Sequence, residues 1–352
     1  MLPNSSPTTP SSFRTGKELI NAIKPFTRES RTLSWWCLSS TMLLVALVLS
    51  GAALAPWWPV QLAMSLLGSL LMVRGFVVFH DFMHGAILRD SWLAKVILYA
   101  FGVLLLTPAR TWRETHNFHH AHVGQIGGPS IGSFPVLTTE QWRNTGFWAR
   151  LWYRFNRHPI TILTAYVTVF LFTMCFESFA KNPRKHWQSL LTLVAHFSIL
   201  GALWHFGSFS MMCFGYLIPA IVSSAIGAYL FYAQHNYPGT RIYMGEDWDY
   251  FQAALETSSY FKFGPVMNWF TGNIGYHHVH HLSSSVPFYR LPEAMAAIPE
   301  LQTPAVTTLH PRDIVGCFRS NLWDPMKQAM VSYRDARARE MEASDMDSGL
   351  AA

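Results

Sequence analysis

The sequence predicts an all-α integral membrane protein, with four transmembrane helices in two hairpins and a cytoplasmic helical cap that holds a histidine-rich metal site. Three observations lead to this prediction. Half of the 352 residues are apolar and only 13% are charged, against about 25% in an ordinary soluble protein. The apolar residues are concentrated in long stretches, because the mean hydropathy of the whole chain is only +0.17. Eight of the sixteen histidines recur at helical spacing in three short clusters.

Charge and cysteine content exclude two classes of protein. The net charge of +6 could indicate a polyanionic partner, but the basic residues flank the apolar stretches instead of forming one dense patch. We therefore expect lipid headgroups beside them and no nucleic acid. The four cysteines lie far apart without CxxC spacing, so we predict neither a disulfide framework nor a cysteine metal site.

The N-terminal segment, residues 1–30, is predicted to be disordered or to lie at the membrane interface. Its first thirteen residues are rich in Ser, Thr and Pro and too poor in apolar residues to pack. The first long apolar run begins near Trp35, too far along the chain for the cleaved core of a signal peptide. We expect that run to remain as a membrane anchor.

Two apolar runs, 36–55 and 60–79, predict the first hairpin. Each has twenty residues, which at about 1.5 Å per residue cross the roughly 30 Å of hydrocarbon. The turn at 56–59, PWWP, carries two interfacial tryptophans. Arg74 lies inside the second run, and we expect its side chain to snorkel to the interface instead of contacting a substrate.

Two further runs, 190–204 and 209–232, predict the second hairpin with a turn at 205–208. Neither tight turn contains Lys or Arg, whereas five basic residues precede the first run. The positive-inside rule therefore places both turns outside and both termini in the cytoplasm. Residues 31–310 form the membrane domain in this topology, and residues 311–352 form a cytoplasmic C-terminal tail.

Two segments between the hairpins are apolar without being predicted to cross the membrane. Residues 91–106 are short for a crossing and include Lys95, so we predict an interfacial or re-entrant helix. Residues 159–176 are followed by three basic residues that belong in the cytoplasm, so a simple crossing there conflicts with the topology.

The three histidine clusters predict a metal site. On a helix, positions i and i+4 lie about 40° apart, and i, i+3 and i+4 fall within an arc of about 100°, so each cluster presents its imidazoles from one face. All three clusters lie on the predicted cytoplasmic side. The clustered residues are His80 and His84 in HDFMH, His116, His119 and His120 in HNFHH, and His277, His280 and His281 in HHVHH.

Eight converging imidazoles exceed what one tetrahedral zinc ion can use, so we predict two metal ions. Imidazole binds zinc, copper, iron and nickel, and the sequence itself leaves the identity of the metal open. We favour iron because it changes oxidation state and can activate oxygen. Neutral ligands also leave the ions their full positive charge, which suits binding of water and oxygen-derived anions.

Other histidines are assigned by position. His235, just past the fourth run, is the best candidate for a ninth ligand, and an interfacial histidine bonded to a carbonyl is the alternative. His122 and His278 project away from their clusters on a continued helix, and we exclude both. The remaining ones are predicted to be packing or interface residues, His196 and His205, or surface residues, His158, His186 and His310.

Metal-bound histidines usually donate their second N–H to a carboxylate or a carbonyl. Five side chains are close enough in sequence to serve, although each alone is more typical of a solvated or capping residue. They are Asp81, Glu114, Asp247, Asp249 and Asn273.

The order and placement of the three clusters resemble the membrane fatty-acid desaturase family. The segment 110–120, RTWRETHNFHH, resembles the second histidine box of that family, and residues 246–292 are similar to bacterial acyl-lipid desaturases throughout. The resemblance covers roughly residues 30–300. It implies a di-iron centre held by the box histidines and by a further histidine after the fourth span, a position that His235 matches.

The resemblance also implies a reaction, in which O2 and two electrons remove two hydrogens from a lipid acyl chain and leave a cis double bond and water. We expect a bacterial inner-membrane protein, and the positive-inside rule places its active site in the cytoplasm. The sequence has no HPGG-type haem-binding module, so we expect a separate electron donor, ferredoxin or a cytochrome. Phe82 and Met83 are bulkier than the small residues that many members carry in the first box, and this leaves the position of the double bond open.

Three other functions are alternatives to desaturation. A hydroxylase or carotenoid ketolase on the same di-iron scaffold would carry the same histidine boxes. A metal transporter normally needs acidic or polar groups inside its spans, and the four runs contain no Asp or Glu. A membrane cytochrome needs axial histidines on facing helices, whereas His196 and His205 are nine residues apart and lie on opposite faces.

Overall fold

The computed structural model describes residues 14–127 and 131–338, and this part of the chain is mostly helical. The predicted disorder of residues 1–13 lies outside the described residues. Helical segments are numbered in chain order, with two π-helical segments as π1 and π2. The first ten are α1 Gly16–Ile23, α2 Arg31–Leu54, α3 Trp58–His84, α4 Trp92–Leu104, α5 Ala109–Ala121, α6 Thr139–Asn144, α7 Phe147–Asn156, α8 Pro159–Leu163, π1 Tyr166–Glu177 and α9 Ser178–Lys181.

The second half of the chain continues in the same way. Its helices are α10 Trp187–Phe206, α11 Phe209–Met212, π2 Cys213–Leu217, α12 Ile218–His235, α13 Tyr250–Glu256, α14 Pro265–Phe270, α15 His277–Leu282, α16 Leu291–Ala297 and α17 Pro311–Arg319. Short 3₁₀ turns occupy Lys24–Thr27, Gly245–Asp247, Phe288–Arg290 and Pro299–Leu301.

Short strands form three two-stranded pairs in the described residues. The strands are β1 Gln125–Ile126, β2 Tyr243–Met244, β3 Tyr260–Phe261, β4 Val306–Thr307, β5 Leu322–Asp324 and β6 Ala329–Val331. β1 pairs with β2 and β3 with β4 in parallel, and β5 pairs with β6 antiparallel. Each parallel pair therefore joins segments that are far apart in the sequence.

Four helices of the described chain are long and apolar enough to cross a membrane, as predicted: α2, α3, α10, and the continuous stretch Phe209–His235 formed by α11, π2 and α12. The ends differ from the predicted ones. α2 begins at Arg31, and α3 continues to His84, past the predicted end at Phe79. α3 stops where Gly85 adopts the left-handed conformation, with φ of 72°, and its N–H bonds to the carbonyls of Asp81 and Phe82.

α2 and α3 are joined by residues 55–57 and pack closely against each other. The approach depends on small residues, because a Cβ added at Gly68 of α3 would lie only 2.6 Å from Leu49 Cδ2 of α2. α3 also contacts α12, so the two helices that end in His84 and His235 are neighbours. Their C-terminal ends consequently bring both histidines toward one region of the protein.

The segments between the four long helices are bent or irregular. α4 and α5 meet at an angle of 88° around residues 105–108, where Leu106 has φ of 54° and Pro108 cannot donate a backbone hydrogen bond. Residues 159–176, which were not predicted to cross, form α8 and most of the π-helical π1. Neither segment is among the four long apolar helices.

Arg74 does not snorkel, so that prediction was wrong. Its side chain is buried, its Nε donates to Thr41 Oγ1 on α2 at 3.1 Å, and its Nη1 donates to the Trp269 carbonyl on α14. The guanidinium also lies 4.2 Å from the centroid of the Trp269 ring. Arg74 thus joins two membrane helices to a later segment, a contact that local sequence does not reveal.

The two terminal regions pack onto the rest of the chain. In the predicted N-terminal segment, Leu19 and Ile23 of α1 are buried, and Arg14 Nε lies 2.8 Å from Glu300 Oε1. In the predicted C-terminal tail, residues up to 338 include α17, β5 and β6. Trp323 is buried there, and its backbone N–H donates to the Leu137 carbonyl at 2.9 Å.

Replacing Arg74 with Met should lower the stability of the protein by about 2 kcal/mol, because charge-assisted hydrogen bonds to Thr41 and the Trp269 carbonyl are lost and the carbonyl stays buried. Thermal unfolding in detergent, followed by size-exclusion chromatography with fluorescence detection, measures the change. Arg89→Met is the matched control, since that side chain is 77% exposed. Equal unfolding temperatures for the two variants would contradict the structural role of Arg74.

Candidate metal centre

Five of the predicted histidines form one group. His80 and His84 come from the end of α3, His116 and His120 from α5, and His280 from α15. One ring nitrogen of each lies within 4.8 Å of the corresponding nitrogen of every other member. His116 Nε2 is 3.1 Å from both His80 Nε2 and His120 Nε2, and His280 Nε2 is 3.1 Å from His120 Nε2. We call these five residues the first histidine group.

A second group lies beside it. His119 of α5, His235 at the end of α12 and His281 of α15 bring one nitrogen each within 4.8 Å of one another. His277 Nε2 adjoins this group, 2.9 Å from His235 Nε2 and 3.1 Å from His281 Nε2. These four residues are the second histidine group, and the structure thereby places all nine predicted histidines at two adjacent sites.

Two short helices contribute to both groups. α5 directs His116 and His120 to the first group and His119 to the second. α15 directs His280 to the first group, and His277 and His281 to the second. The rings of His120 and His281 stack with centroids 4.3 Å apart. Helical spacing predicts one ligand face for each cluster but not this division, which depends on how the helices are oriented against each other.

The histidine rings are shielded from water. Seven of the nine are buried, and His84 and His235 are partly exposed. Burial, reinforced in every case by neighbouring histidines, holds the pKa of His116, His119, His120, His277, His280 and His281 well below the usual value for imidazole. These rings are therefore neutral at pH 7, which is the form that binds metal ions.

Two rings have the hydrogen-bonding partner that a metal ligand needs. His80 Nδ1 lies 3.0 Å from Asp81 Oδ1, and Asp81 Oδ2 accepts the Phe288 N–H at 2.6 Å. His235 Nδ1 lies 3.1 Å from the Thr257 carbonyl, to which it can only donate. A proton on Nδ1 leaves Nε2 with a lone pair in both rings, and those lone pairs point into the two groups.

The facing nitrogens fit bound cations better than they fit one another. A neutral imidazole has one N–H and one lone pair, so His116 Nε2 cannot satisfy both of its 3.1 Å neighbours. His84 Nε2 is buried without a hydrogen-bond partner among the described residues. Two nitrogens about 2.1 Å from one ion and at right angles to each other lie about 3.0 Å apart, close to the measured separations.

Of the five predicted carboxylate and amide partners, Asp81 alone contacts one of the nine grouped histidines in the described part of the chain. Glu114 pairs with Arg110 and Lys185 at the surface. Asp249 caps α13, and Asn273 donates to the Phe288 carbonyl. Asp247 is exposed in a 3₁₀ turn. Their proximity in sequence therefore does not bring them to the site.

The excluded histidines lie outside both groups. His122 is exposed, with Nδ1 2.9 Å from the Phe118 carbonyl of its own helix, and buried His278 bonds to the Leu301 carbonyl at 3.0 Å. His196 is a packing residue, held between the hydroxyls of Tyr166 and Tyr216 at 2.7 Å each. His158 and His310 cap α8 and α17, and His186 bonds to Thr111 Oγ1.

Two aromatic residues support the site and were missed by the sequence analysis. The Trp112 ring stacks on His116 with centroids 4.4 Å apart, and it meets the edge of His80 at 5.5 Å. The Phe231 ring packs against the rings of His119 and His235, with centroids 4.9 Å and 5.3 Å apart. Each precedes a histidine by four residues on the same helix, a spacing that would have placed it on the ligand face.

An apolar cavity of about 320 Å³ ends at the histidines. His80, His116 and His277 form part of its wall. From there it extends between α3 and α12 into the part of the protein made by the long apolar helices, where Val73 and Gly227 line it. The cavity can therefore hold an extended apolar molecule with one part against the histidine groups.

A second, smaller cavity of about 80 Å³ lies on the other side of Phe231. His119 and His235 line it together with Gln125 and Asn236, so its wall is more polar. Ser133, Phe134 and Phe231 line both cavities, so the cavities adjoin each other at these residues. The two histidine groups are consequently reached from two chemically different sides.

Similarity to known proteins agrees with the geometry. The family model described as "Fatty acid desaturase" matches residues 55–312. The chain is 31% identical over 277 residues to a protein of Bacillus subtilis named "Fatty acid desaturase", covering 78% of this chain and 77% of the relative. It is 22% identical to the Synechocystis "sn-1 oleoyl-lipid 12-desaturase", with 85% and 86% covered, and 25% identical to the Nostoc "sn-1 acyl-lipid omega-3 desaturase (ferredoxin)", with 63% of each covered.

Removing one histidine from either group should lower the metal content of the purified protein. We expect His280→Ala to deplete the first group and His119→Ala the second, because each deletes one ligand nitrogen from its group. Elemental analysis by inductively coupled plasma mass spectrometry gives the number of ions per chain. His122→Ala at the C-cap of α5 is the matched control, and equal metal content in all three variants would contradict the two-group site.

Proposed function

The chain belongs to the fatty acid desaturase family, a family of oxidoreductases, and we propose that it introduces a cis double bond into a lipid acyl chain with O2 as the oxidant. Two adjacent methylene groups each lose one hydrogen. These two hydrogens, two electrons from a donor and two protons reduce O2 to two molecules of water. An unactivated C–H bond has no acidic proton and no leaving group, so acid–base residues alone are insufficient.

The observation that carries this proposal is the apolar cavity that ends at the histidines. Its wall changes from apolar side chains such as Val73 and Phe76 to the rings of His80, His116 and His277. A hydrocarbon chain is stabilised by burial along such a wall, by about 25 cal/mol for each Å² removed from water. A methylene pair of that chain is thereby held beside the histidine groups in a fixed orientation.

The two histidine groups are the proposed ligands of two iron ions. His80, His84, His116, His120 and His280 would hold one ion, and His119, His235, His277 and His281 the other. Such a pair, when bound, supplies the redox chemistry with O2 that the removal of hydrogen from an alkyl chain requires. All nine ligands are neutral, so the ions keep their full charge.

Protein side chains around the ligands orient them and exclude water. Asp81 and the Thr257 carbonyl fix the tautomers of His80 and His235, which turns their Nε2 lone pairs into the site. Trp112 holds the His116 ring in place by stacking. Phe134 and Phe231 lie where the acyl cavity adjoins the smaller polar cavity, and their rings would limit the passage of water to the hydrocarbon chain.

We further propose a topology and an electron donor. The four long helices form two hairpins that cross a bacterial inner membrane, and residues 31–310 form the catalytic domain with its histidine groups in a cytoplasmic cap. The absence of Lys and Arg from both tight turns supports this orientation. The electrons come from a separate carrier, a ferredoxin or a cytochrome, and the name of the Nostoc relative supports ferredoxin.

Expression of the chain in a host that makes only saturated fatty acids should produce mono-unsaturated acyl chains. Gas chromatography with mass spectrometry of total lipids identifies the products, and His280→Ala is the inactive control. Hydroxylated or keto products without a double bond would contradict desaturation and indicate a hydroxylase or ketolase on the same scaffold.

A substitution at Gly227 tests whether the cavity binds the acyl chain. It lies about 12 Å along α12 from His235, and a Cβ added there meets no atom within 4 Å. We expect Gly227→Leu to fill the inner part of the cavity and to lower conversion of the longest chains by about tenfold, while shorter chains are still converted.

The matched control is Gly201→Leu on α10, an exposed glycine whose added Cβ also meets no atom within 4 Å. Product chain lengths are compared by mass spectrometry at equal protein level. An unchanged distribution in Gly227→Leu would contradict acyl binding in this cavity.

A further inference from the structure

Helix α7 exposes a wide apolar face although it is not one of the four long apolar helices. Its five large apolar side chains are 44–77% exposed. At about 100° per residue they fall within an arc of about 140° on one side of the helix. They are Phe147, Trp148, Leu151, Trp152 and Phe155.

The opposite side of α7 is fixed to the protein. Tyr153 is buried, its hydroxyl donates to the Asn321 carbonyl at 2.5 Å, and its ring packs on Trp142 at 5.7 Å. Because Tyr153 anchors this side, α7 cannot turn its aromatic face inward. A contiguous apolar face of this kind marks a contact with something outside the chain.

The residues on the face match those at the ends of the long apolar helices. Trp36, Trp57, Trp58, Trp187 and Trp204 lie near those ends and are 53–69% exposed, as expected for tryptophans at the level of lipid headgroups. Trp148 and Trp152 are 77% and 58% exposed. The exposed face of α7 therefore has the aromatic composition of the membrane interface.

The charges around the face favour a lipid surface. α7 contains two arginines and no acidic residue, and Arg143 precedes it in α6. The guanidinium groups of Arg150 and Arg154 lie over the Trp142 ring, 5.0 and 5.3 Å from its centroid. These contacts hold both cations beside the apolar face. Cations beside an aromatic face are typical of helices that lie in the headgroup region of anionic membranes.

The apolar surface continues from α7 toward the long helices. Ile160 and Leu163 of α8 are 62% and 60% exposed, and Val167 of π1 is 53% exposed. Asn156, the last residue of α7, and Ser178 both line the large apolar cavity. A membrane contact at α7 would consequently hold one side of that cavity at the level of the bilayer surface.

We propose that α7 lies in the headgroup layer of the bilayer, with Phe147, Trp148, Leu151, Trp152 and Phe155 in contact with lipid. The membrane contact is independent of the chemistry of the site. One consequence rests on the proposed function: the acyl chain reaches the cavity from a bilayer lipid beside α7.

Depth-dependent quenching tests the contact. Fluorophores are attached to Trp148→Cys or Leu151→Cys in full-length protein that also carries Cys213→Ser, since the other three cysteines are buried. The protein is placed at one copy per nanodisc. We expect quenching by lipid-linked doxyl groups and protection from iodide at both positions. The matched control is Met326→Cys, 90% exposed between β5 and β6, where we expect the reverse.

Two outcomes would overturn the proposal. The first is iodide quenching at 148 and 151 equal to that at 326. The second is protection from iodide that occurs only in discs with two copies, because the face would then bind a second copy of the chain. Both readouts are independent of enzyme activity, so failure of the proposed function leaves them interpretable.

A double substitution, Trp148→Glu with Trp152→Glu, addresses the consequence for substrate. We expect it to expose position 151 to iodide and to lower conversion of bilayer acyl chains several-fold with unchanged metal content. Undiminished conversion together with an exposed position 151 would overturn entry of the chain beside α7.

Discussion

The structure depends on the burial of many neutral imidazoles whose nitrogens face one another at about 3 Å. Burial keeps the rings unprotonated, and the bonds from His80 to Asp81 and from His235 to Thr257 direct lone pairs inward. The facing nitrogens cannot all be satisfied by hydrogen bonds to one another, whereas bound cations would accept their lone pairs. We therefore expect metal binding and folding of this region to be coupled.

The positions of the histidines follow from the long helices. α3 and α12 continue past their apolar stretches and carry His84 and His235 at their ends, so the membrane helices themselves set the depth of the site. α5 and α15 then complete both groups, each contributing to both. The apolar cavity lies between the same two helices, α3 and α12. An acyl chain bound along them would therefore approach the histidines.

Much of this could be predicted from sequence because the patterns are local. Apolar length predicted the four long helices, and the i, i+3 and i+4 spacing selected the eight clustered histidines that the structure brings together. Spacing alone did not decide whether the ninth histidine, His235, is a ligand, and the family resemblance favoured that role. The division of HNFHH between two groups could not be predicted, since it depends on the angle at which α5 meets α3 and α15. Arg74 was wrongly predicted to reach the interface, because its partner Trp269 lies almost 200 residues further along the chain.

Anomalous X-ray diffraction at the iron edge, from crystals of the purified metal-loaded protein, tests the central claim most directly. We expect two iron peaks, one inside the group formed by His80, His84, His116, His120 and His280, and one inside the group formed by His119, His235, His277 and His281. A single shared peak, peaks outside these groups, or no iron in active protein would contradict it.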